Sequence, residues 1–322
     1  MPLAGLLNAV ADPSRVRTGA IDRVAYASDA SHYLHTPEVV IVAADAAEVG
    51  AVLRAAAESG RHVTFRSGGT SLSGQASGDS VMIDVRQRFR GIEVLDDGRR
   101  VRAQPGATVR QVNARLARLG YRLGPDPASE VACTIGGVIA NNSSGMACGI
   151  DENTYRTLES VIIVLPSGTV IDSAHPDAEA HLREREPALV EGLVALQRRV
   201  RENPDSVQTI ERHFALKNTM GYGINSFIDH ESPLEVLVHL LIGSEGTLGF
   251  VAEATFRTVD VRTLLATGIA VFANLHAATS ALPALVATGA ATLELMDATS
   301  IRVGQTLADA PAEILDFEVG DE

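Results

Sequence analysis

Arg66-Ser-Gly-Gly-Thr-Ser-Leu-Ser-Gly-Gln75 is the stretch of this chain that decides its fold. The run Val63-Thr-Phe65 leads directly into it, and the stretch itself holds three glycines and four hydroxyl residues. Glycine lacks the Cβ that keeps a ligand away from the backbone, and it adopts positive φ without strain. Successive exposed N–H groups in such a turn form an anion site, which the hydroxyls extend and Arg66 could reinforce. Composition alone is equally compatible with a polar turn between two strands.

The overall composition excludes several classes of protein. The net charge of −13 argues against a nucleic-acid-binding protein, because a phosphate backbone requires clustered Lys and Arg. Neither Cys133 nor Cys148 belongs to a C-x-x-C pair, which excludes a cysteine-rich zinc or iron–sulfur module within this sequence. The N-terminus shows no secretory signal, and no apolar run approaches the ~18 residues that span a bilayer. We therefore expect a cytoplasmic protein without a transmembrane segment.

Strands and helices alternate along the chain from Pro37 onward. Val39-Val-Ile-Val42 reads as a buried strand, residues 46–59 as a helix that stops at Gly60, and residues 62–65 as the next strand. Together they predict a βαβ-like unit. Further strands are predicted at residues 81–85, 92–95, 101–103, 158–165, 170–172, 237–242 and 250–256. Further helices are predicted at residues 108–119, 277–291 and, as a charge-rich surface stretch, 177–201.

The two ends of the chain differ in character from its middle. Residues 1–36 are mixed and weakly periodic, which is typical of an irregular leader with one short helix at most. After Val259 the pattern of strands and glycine loops ends, so we predict a domain boundary near residue 260.

Three further glycine-bearing loops follow predicted strands. Cys133 to Gly145 holds no ionised side chain in thirteen positions, which favours backbone packed against a flat ligand, with a tightly packed turn as the alternative. Lys217-Asn-Thr-Met-Gly-Tyr-Gly223 is polar, and Gly243-Ser-Glu-Gly-Thr-Leu-Gly249 spaces its glycines by three. One loop at a pyrophosphate, one along a ring system and one near a ribose or adenine would suit a dinucleotide.

Familiar motifs for other chemistries are missing from the sequence. It contains no G-x-G-x-x-G nicotinamide signature and no G-x-x-x-x-G-K-S/T phosphate loop. It also contains no H-E-x-x-H, no G-x-S-x-G and no pair of histidines at ligand spacing with a third partner. We therefore expect a dinucleotide bound outside the Rossmann scheme, and no metal site.

With its loops in this order, the sequence resembles the FAD-binding domain of the vanillyl-alcohol oxidase and p-cresol methylhydroxylase (PCMH) superfamily. More narrowly, it is similar to the D-2-hydroxyacid dehydrogenases of that superfamily, of the D-lactate, glycolate and D-2-hydroxyglutarate type. The resemblance rests on residues 66–75, 134–137, 141–145, 155–170, 217–222 and 243–249.

The resemblance implies an α+β protein with a PCMH-type FAD-binding fold. Two α/β subdomains over residues 37–260 would hold FAD between them, and residues 261–322 would begin an α+β cap domain. By the same resemblance, the residues beside the pyrophosphate are Arg66, Ser67, Gly68, Gly69, Thr70, Ser71, Gly74 and Gln75. Those along the flavin and ribityl region are Pro125, Thr134, Gly136, Gly137, Asn141, Ser144 and Gly145, and those completing the site are Glu245, Gly246 and Val251.

The first loop has no histidine, so the resemblance implies noncovalent FAD. It implies a small 2-hydroxy acid as substrate, oxidised to the 2-oxo acid by hydride transfer to flavin N5. Electrons would leave to an iron–sulfur protein, a quinone or a cytochrome, on this or on a separate chain. Through such a partner the protein could lie at the periphery of a membrane. Lys217, Asn218 and Tyr222 would face the substrate, with stabilisation of their own loop as the alternative.

The sequence departs from the family in its last part. Nothing matches the His-x-x-Gly-Asp-Gly-Asn type of motif that supplies a metal ligand and the base in relatives, so no catalytic residue is assigned. The C-terminal iron–sulfur cysteines of the larger relatives are also absent. We expect a C-terminally truncated or split product. The alternatives are a noncatalytic FAD-binding fragment that needs a separate chain, or an alcohol or sugar oxidase on the same fold.

Overall fold

A four-stranded sheet forms around the strand that leads into the glycine loop. In the computed structural model, which describes residues 4–320, parallel pairing places β2 and β3 on either side of β4, and β1 pairs antiparallel with β2. Its strands are β1 (Val16–Arg17), β2 (Val39–Val42), β3 (Val63–Arg66) and β4 (Val81–Asp84). β2 and β4 are buried along their whole length, as expected for parallel strands covered on both faces.

A second, antiparallel sheet of five strands has the order β5-β6-β10-β8-β9. Its strands are β5 (Ile92–Leu95), β6 (Arg100–Ala103), β8 (Leu158–Val164), β9 (Val170–Asp172) and β10 (Phe250–Arg257). The short strands β7 (Tyr121–Arg122) and β11 (Val259–Asp260) pair with each other. β10 begins directly after the loop at residues 243–249, so the middle of this sheet fixes the position of that loop.

Helices cover both sheets. Up to residue 261 they are α1 (Ala4–Asn8), α2 (Ala20–Val24), α3 (Ala46–Glu58), α4 (Val109–Leu116), α5 (Ile135–Asn141), α6 (Thr154–Thr157), α7 (Ala178–Arg185), α8 (Pro187–Arg201), α9 (Pro204–Phe214), α10 (Ser226–Asp229) and α11 (Pro233–Leu240). The later segment contains α12 (Leu275–Ala287), α13 (Ala298–Gln305) and α14 (Ala312–Leu315). The start of α4 is set by a capping box, in which Thr108 and Gln111 each bond the other's backbone N–H.

Each sheet has its own hydrophobic core. Ile41, Val52 and Ile83 belong to the core of the first sheet, together with Phe250 at the start of β10. Val112 and Phe256 belong to the larger core of the second sheet. Two mixed layers with separate cores confirm the predicted α+β class.

One predicted strand, over residues 237–242, is wrong. The segment is the end of helix α11. Pro233 occupies the first helical turn, where its missing N–H costs nothing, and Ser232 accepts from the N–H groups of Leu234 and Glu235. These start signals lie upstream of the apolar run, which by itself fits a buried helix as well as a buried strand.

The segment before residue 37 is more ordered than its sequence suggests. It contributes β1 to the first sheet, and Leu6 and Val10 are 2% and 4% exposed in the core. Arg15 donates to the Glu48 carboxylate on α3, and these two side chains are 11% and 8% exposed. Glu48 also accepts from the N–H groups of Ala11 and Ala44, so one carboxylate ties this segment to α3. Residues 1–3 of the predicted leader lie outside the described residues.

Glu48 should make stability depend on acid pH. Burial opposes ionisation of this carboxyl, but the hydrogen bonds from Arg15, Ala44 and Ala11 outweigh it and hold the pKa below its usual 4.5. A lowered folded-state pKa gives stability that is present above the unfolded value and is lost as pH falls below it. The difference in unfolding free energy between wild type and Glu48→Gln should therefore shrink from about pH 5 downward, as urea titrations at stepped pH measure. A difference that stays constant to pH 3 would contradict this assignment.

Contacts divide the chain into a unit that ends at Val261 and a unit that begins at Arg262. The second unit contains α12, α13 and α14, and within it Ala278 and Ala298 are buried. No described helix in either unit is both long enough and apolar enough to cross a bilayer.

Candidate functional site

Three of the four glycine loops predicted from the sequence meet around one cavity of about 350 Å³. This volume lies within the range of pockets that bind small ligands and cofactors. The lining residues come from the loop after β3, from α5 and the segment before it, and from the loop before β10. Those that the sequence predicted are Ser67, Gly68, Gly69, Thr70, Ser71, Gln75, Thr134, Gly136, Gly137, Asn141, Glu245, Gly246 and Val251.

The first loop presents backbone donors to this cavity. Within residues 4–320, the N–H groups from Gly68 to Ser71 have no hydrogen-bond acceptor. Gly69 has φ +67°, a left-handed conformation, and a Cβ at Gly68 would lie 2.7 Å from the carbonyl oxygen of Ala132. Successive free N–H groups in such a turn bind anionic oxygens, so this loop is suited to a phosphate group.

Arg66 has a different place from the one expected of an anion ligand. Its guanidinium donates to the carbonyl oxygens of Ser28, at 2.6 Å, and Ala76, at 2.8 Å. It lies behind the loop, where a Cβ at Gly69 would come within 2.8 Å of Arg66 Nε. Burial lowers the pKa of Arg66. Arg66 therefore holds the loop in shape rather than facing the cavity.

A chain of side-chain hydrogen bonds joins the three loops. The Glu245 carboxylate accepts from Asn141 Nδ2 at 2.7 Å and from Gln75 Nε2 at 3.5 Å. Ser71 bonds the amide oxygen of Gln75. Backbone bonds reinforce this arrangement, because the N–H of Glu245 donates to Ala140 and that of Gly243 donates to Ile139. The loop before β10 is thereby fixed to α5.

Glu245 is an unusual residue at its position. Its φ of +53° is left-handed, a conformation that costs a residue with a Cβ about 1–2 kcal/mol. Burial raises the pKa of its carboxyl, while the hydrogen bond from Asn141 acts in the opposite sense. Among the described residues that line the cavity, Glu245 is the one carboxylate, and none is Lys, Arg or His.

One end of the cavity is apolar and aromatic. Phe65 and Phe250 stack with ring centroids 5.0 Å apart, and Val85 and Val251 line the same cavity. Flat rings bind well against such walls, since aromatic contacts are favourable beyond the area they bury. The cavity thus combines a phosphate-binding loop with an apolar end, as a dinucleotide requires.

The comparisons with known proteins agree with this geometry. Residues 37–174 match the model of the FAD binding domain family. A D-2-hydroxyglutarate dehydrogenase of Pantoea ananatis is 29% identical over 245 residues, and a D-lactate dehydrogenase of Archaeoglobus fulgidus is 29% identical over 224. The solved structure of an alkyldihydroxyacetonephosphate synthase matches with a TM-score of 0.61 at 17% identity, over 94% of this chain and 49% of that one.

The chain carries an FAD-binding domain with the PCMH-type fold. The free N–H groups at Gly68 to Ser71 suit the pyrophosphate in the middle of FAD, and the aromatic walls suit one of its flat rings; FAD is the cofactor of this flavoprotein. The flavoprotein spans about a quarter of the length of its dehydrogenase relative, since the match covers 74% of this chain and 24% of that protein. The match to the D-lactate dehydrogenase covers 68% of this chain and 38% of that protein.

Some predicted residues lie outside the cavity of this PCMH-type flavoprotein. They are Arg66, Gly74, Pro125, Ser144 and Gly145. Gly74 has φ +86° and packs against Tyr33, where a Cβ would lie 2.5 Å from the ring. Gly145 packs so closely on Asp126 that a Cβ would lie 1.9 Å from its carbonyl oxygen. These two glycines shape the flavoprotein's loops instead of touching the cavity.

The three residues predicted for the substrate side make contacts between loops. Lys217 Nζ donates to the carbonyl oxygen of Gly145 at 2.8 Å, and the carbonyl of Asn218 accepts from Asn142 at 3.4 Å. The hydroxyl of Tyr222 lies 2.8 Å from that of Thr247. None of the three lines the cavity of the flavoprotein.

Sequence reasoning missed the apolar part of the flavoprotein's cavity. Phe65 precedes the first glycine loop and Phe250 follows the last one, so adjacency to the two loops is a signal that was available. The other lining residues not predicted are Leu72, Ser73, Ala76, Val85, Pro105, Ser129, Cys133, Ala140, Ser143, Leu241, Ser244 and Gly249. Pro105 and Ser129 carry no such signal, because only the packing of α4 and α5 brings them to the cavity.

Proposed function

We propose that this flavoprotein binds FAD noncovalently and takes part in the oxidation of a D-2-hydroxy acid. The observation that carries the FAD site is the row of free N–H groups from Gly68 to Ser71 at the wall of a cavity with an aromatic end. The pyrophosphate would lie on that row. No histidine lines the cavity among the described residues, which supports noncovalent attachment.

The D-2-hydroxy acid class comes from the relatives. Both are dehydrogenases named for such an acid, D-2-hydroxyglutarate or D-lactate. When bound, FAD supplies a ring that accepts hydride from the substrate carbon. In this chain, the loops at residues 66–76 and 243–249 would hold that ring system, and the bonds from Asn141 and Gln75 would fix Glu245 beside it.

The base that takes the hydroxyl proton would lie outside the described cavity lining. A general base must reach the proton within hydrogen-bond distance. Glu245 is the one carboxylate there, and its Oε1 accepts the bonds from Asn141 and Gln75 that join the loops, so we assign it to holding the loops in place. We therefore keep a second candidate function, an FAD-binding module that is active once a separate polypeptide supplies the base. Electrons would pass to an iron–sulfur protein, a quinone or a cytochrome.

A visible absorption spectrum distinguishes the two functions. The purified chain should show an oxidised flavin spectrum, and protein precipitation with acid should release all of that flavin. Anaerobic addition of D-2-hydroxyglutarate, D-lactate or glycolate should bleach it if the chain itself carries out the oxidation, with the L-enantiomers of the first two as controls. A flavin spectrum that none of these acids changes supports the binding module. A chain that neither contains nor takes up flavin contradicts both proposed functions.

A further inference from the structure

A group of two histidines and one glutamate lies apart from the FAD cavity. His230 ends α10, and Glu235 and His239 lie one turn apart on α11. Within residues 4–320, one ligand atom from each of the three side chains lies within 4.8 Å of the other two. None of the three lines the cavity. This group was not predicted from the sequence, because α10 and α11 must fold against each other before His230 meets His239.

His239 is held ready to act as a ligand. It is 7% exposed, and its Nδ1 lies 2.9 Å from the backbone carbonyl oxygen of Glu235. A ring nitrogen facing a carbonyl carries the proton, so Nε2 keeps its lone pair. Metal-binding histidines commonly donate their second nitrogen in this way, which fixes both the tautomer and the orientation of the ring.

His230 has an unsatisfied nitrogen beside His239. The two rings stack with centroids 3.8 Å apart. Nε2 of His230 is shielded from solvent and has no hydrogen-bond partner among the described residues. Its backbone is fixed, because the carbonyl of His230 accepts from Gln197 and Arg201 on α8, each at 2.6 Å. A buried nitrogen without a partner costs free energy that a ligand would recover.

The charged side chains around the two rings make contacts elsewhere. The Asp229 carboxylate accepts hydrogen bonds from Tyr155 and Asn225, and the guanidinium of Arg156 lies over the ring of Tyr155. The carboxylate of Glu235, 45% exposed, lies 3.9 Å from His239 Nδ1, so it must rotate towards Nε2 of that ring to share an ion with it.

We propose that His230, Glu235 and His239 form a binding site for a divalent transition-metal ion, with Zn²⁺ as the best fit. Two imidazoles and one carboxylate are ligands that Zn²⁺ takes, with a fourth position open to water. Zn–N and Zn–O bonds of about 2.1 Å place tetrahedral ligand atoms about 3.4 Å apart, so the group must contract and His230 must rotate out of the stack. The ion would clamp the end of α10 to α11.

The test uses the full chain without a histidine tag. After EDTA treatment and dialysis, wild-type protein should bind one Zn²⁺ per chain by elemental analysis, and competition with a chromophoric chelator gives its affinity. Glu235→Gln should weaken binding by at least about tenfold, since loss of a ligand costs no less than loss of its supporting partner. Glu211→Gln removes the same charge from an exposed site on α9 and should leave the affinity unchanged.

Two further results complete the test. His230→Gln should weaken Zn²⁺ binding at least as much as Glu235→Gln, whereas His213→Gln, an exposed histidine on α9, should not. Thermal unfolding of each variant identifies any that fails to fold. If His230→Gln does not fold, Glu235→Gln alone still tests the site, because the side chain of Glu235 is partly exposed. Failure of wild type to bind Zn²⁺ stoichiometrically at micromolar concentration, or equal affinity in wild type and Glu235→Gln, would overturn the site. Flavin content reports separately on the proposed function.

Discussion

Gly69→Val should leave the chain folded and lower its flavin content at least tenfold. Gly69 has φ +67°, and a Cβ there would lie 2.8 Å from Arg66 Nε. A β-branched side chain would therefore both strain the backbone and displace the guanidinium that shapes the loop. Because the free N–H groups from Gly68 to Ser71 depend on that shape, the pyrophosphate would lose its donors.

The matched control for this variant is Gly60→Val. Gly60 has nearly the same φ, +65°, but nothing lies within 4 Å of a Cβ placed there. Gly60→Val should therefore lose about 1–2 kcal/mol of folding stability, or somewhat more because valine is β-branched, and it should keep its flavin. Flavin per chain is measured by absorbance, and folding by thermal unfolding. A Gly69→Val protein that purifies with full flavin content means that the pyrophosphate lies elsewhere.

Glu48→Gln should destabilise the protein by about 1.5–3 kcal/mol, the range for hydrogen bonds to a charged group. The substitution removes the nearest counter-charge of the Arg15 guanidinium and leaves it the Asp12 carboxylate, 3.7 Å from its Nε, while the side chains of Arg15 and Glu48 are only 11% and 8% exposed. It also weakens the acceptor for two backbone N–H groups, those of Ala11 and Ala44. Urea unfolding at pH 7 measures the loss.

An exposed pair in the same chain provides the comparison. Arg100 bonds Glu159 at 2.6 Å, but these side chains are 44% and 36% exposed. Glu159→Gln should cost no more than about 1 kcal/mol, as is usual for surface ion pairs. Equal losses in the two variants would show that Glu48 does not anchor the segment before residue 37.

The glycine loops could be predicted because their function restricts residue type locally. Glycine adopts the φ of Gly69 without strain, and only glycine leaves room for the approach of Ala132 to Gly68, so the sequence itself carries the geometry. The strands that flank these loops were predictable for a similar reason, since β-branched runs such as Val39 to Val42 end at clear turns. The predicted strands and glycine loops together lead to the α+β class.

The wrong strand at residues 237–242 and the unexpected place of Arg66 have different causes, the first local and the second long-range. The run at residues 237–242 fits a strand or a helix, and only its start signals at Ser232 and Pro233 settle the choice. Arg66 was expected to face an anion because it adjoins the loop, yet the carbonyls of Ser28 and Ala76 draw it to the other side. Ser28 is remote in sequence, so no local pattern reveals that contact.

The position of Arg66 also bears on how quickly the protein can take up its cofactor. A flexible glycine-rich loop loses conformational entropy when a ligand orders it, and that loss weakens and slows binding. Here one guanidinium already joins residues before and after the loop, so the ordering is complete once the chain has folded. Flavin-free protein should therefore regain FAD by simple mixing, in one kinetic phase, without a slow step of loop rearrangement.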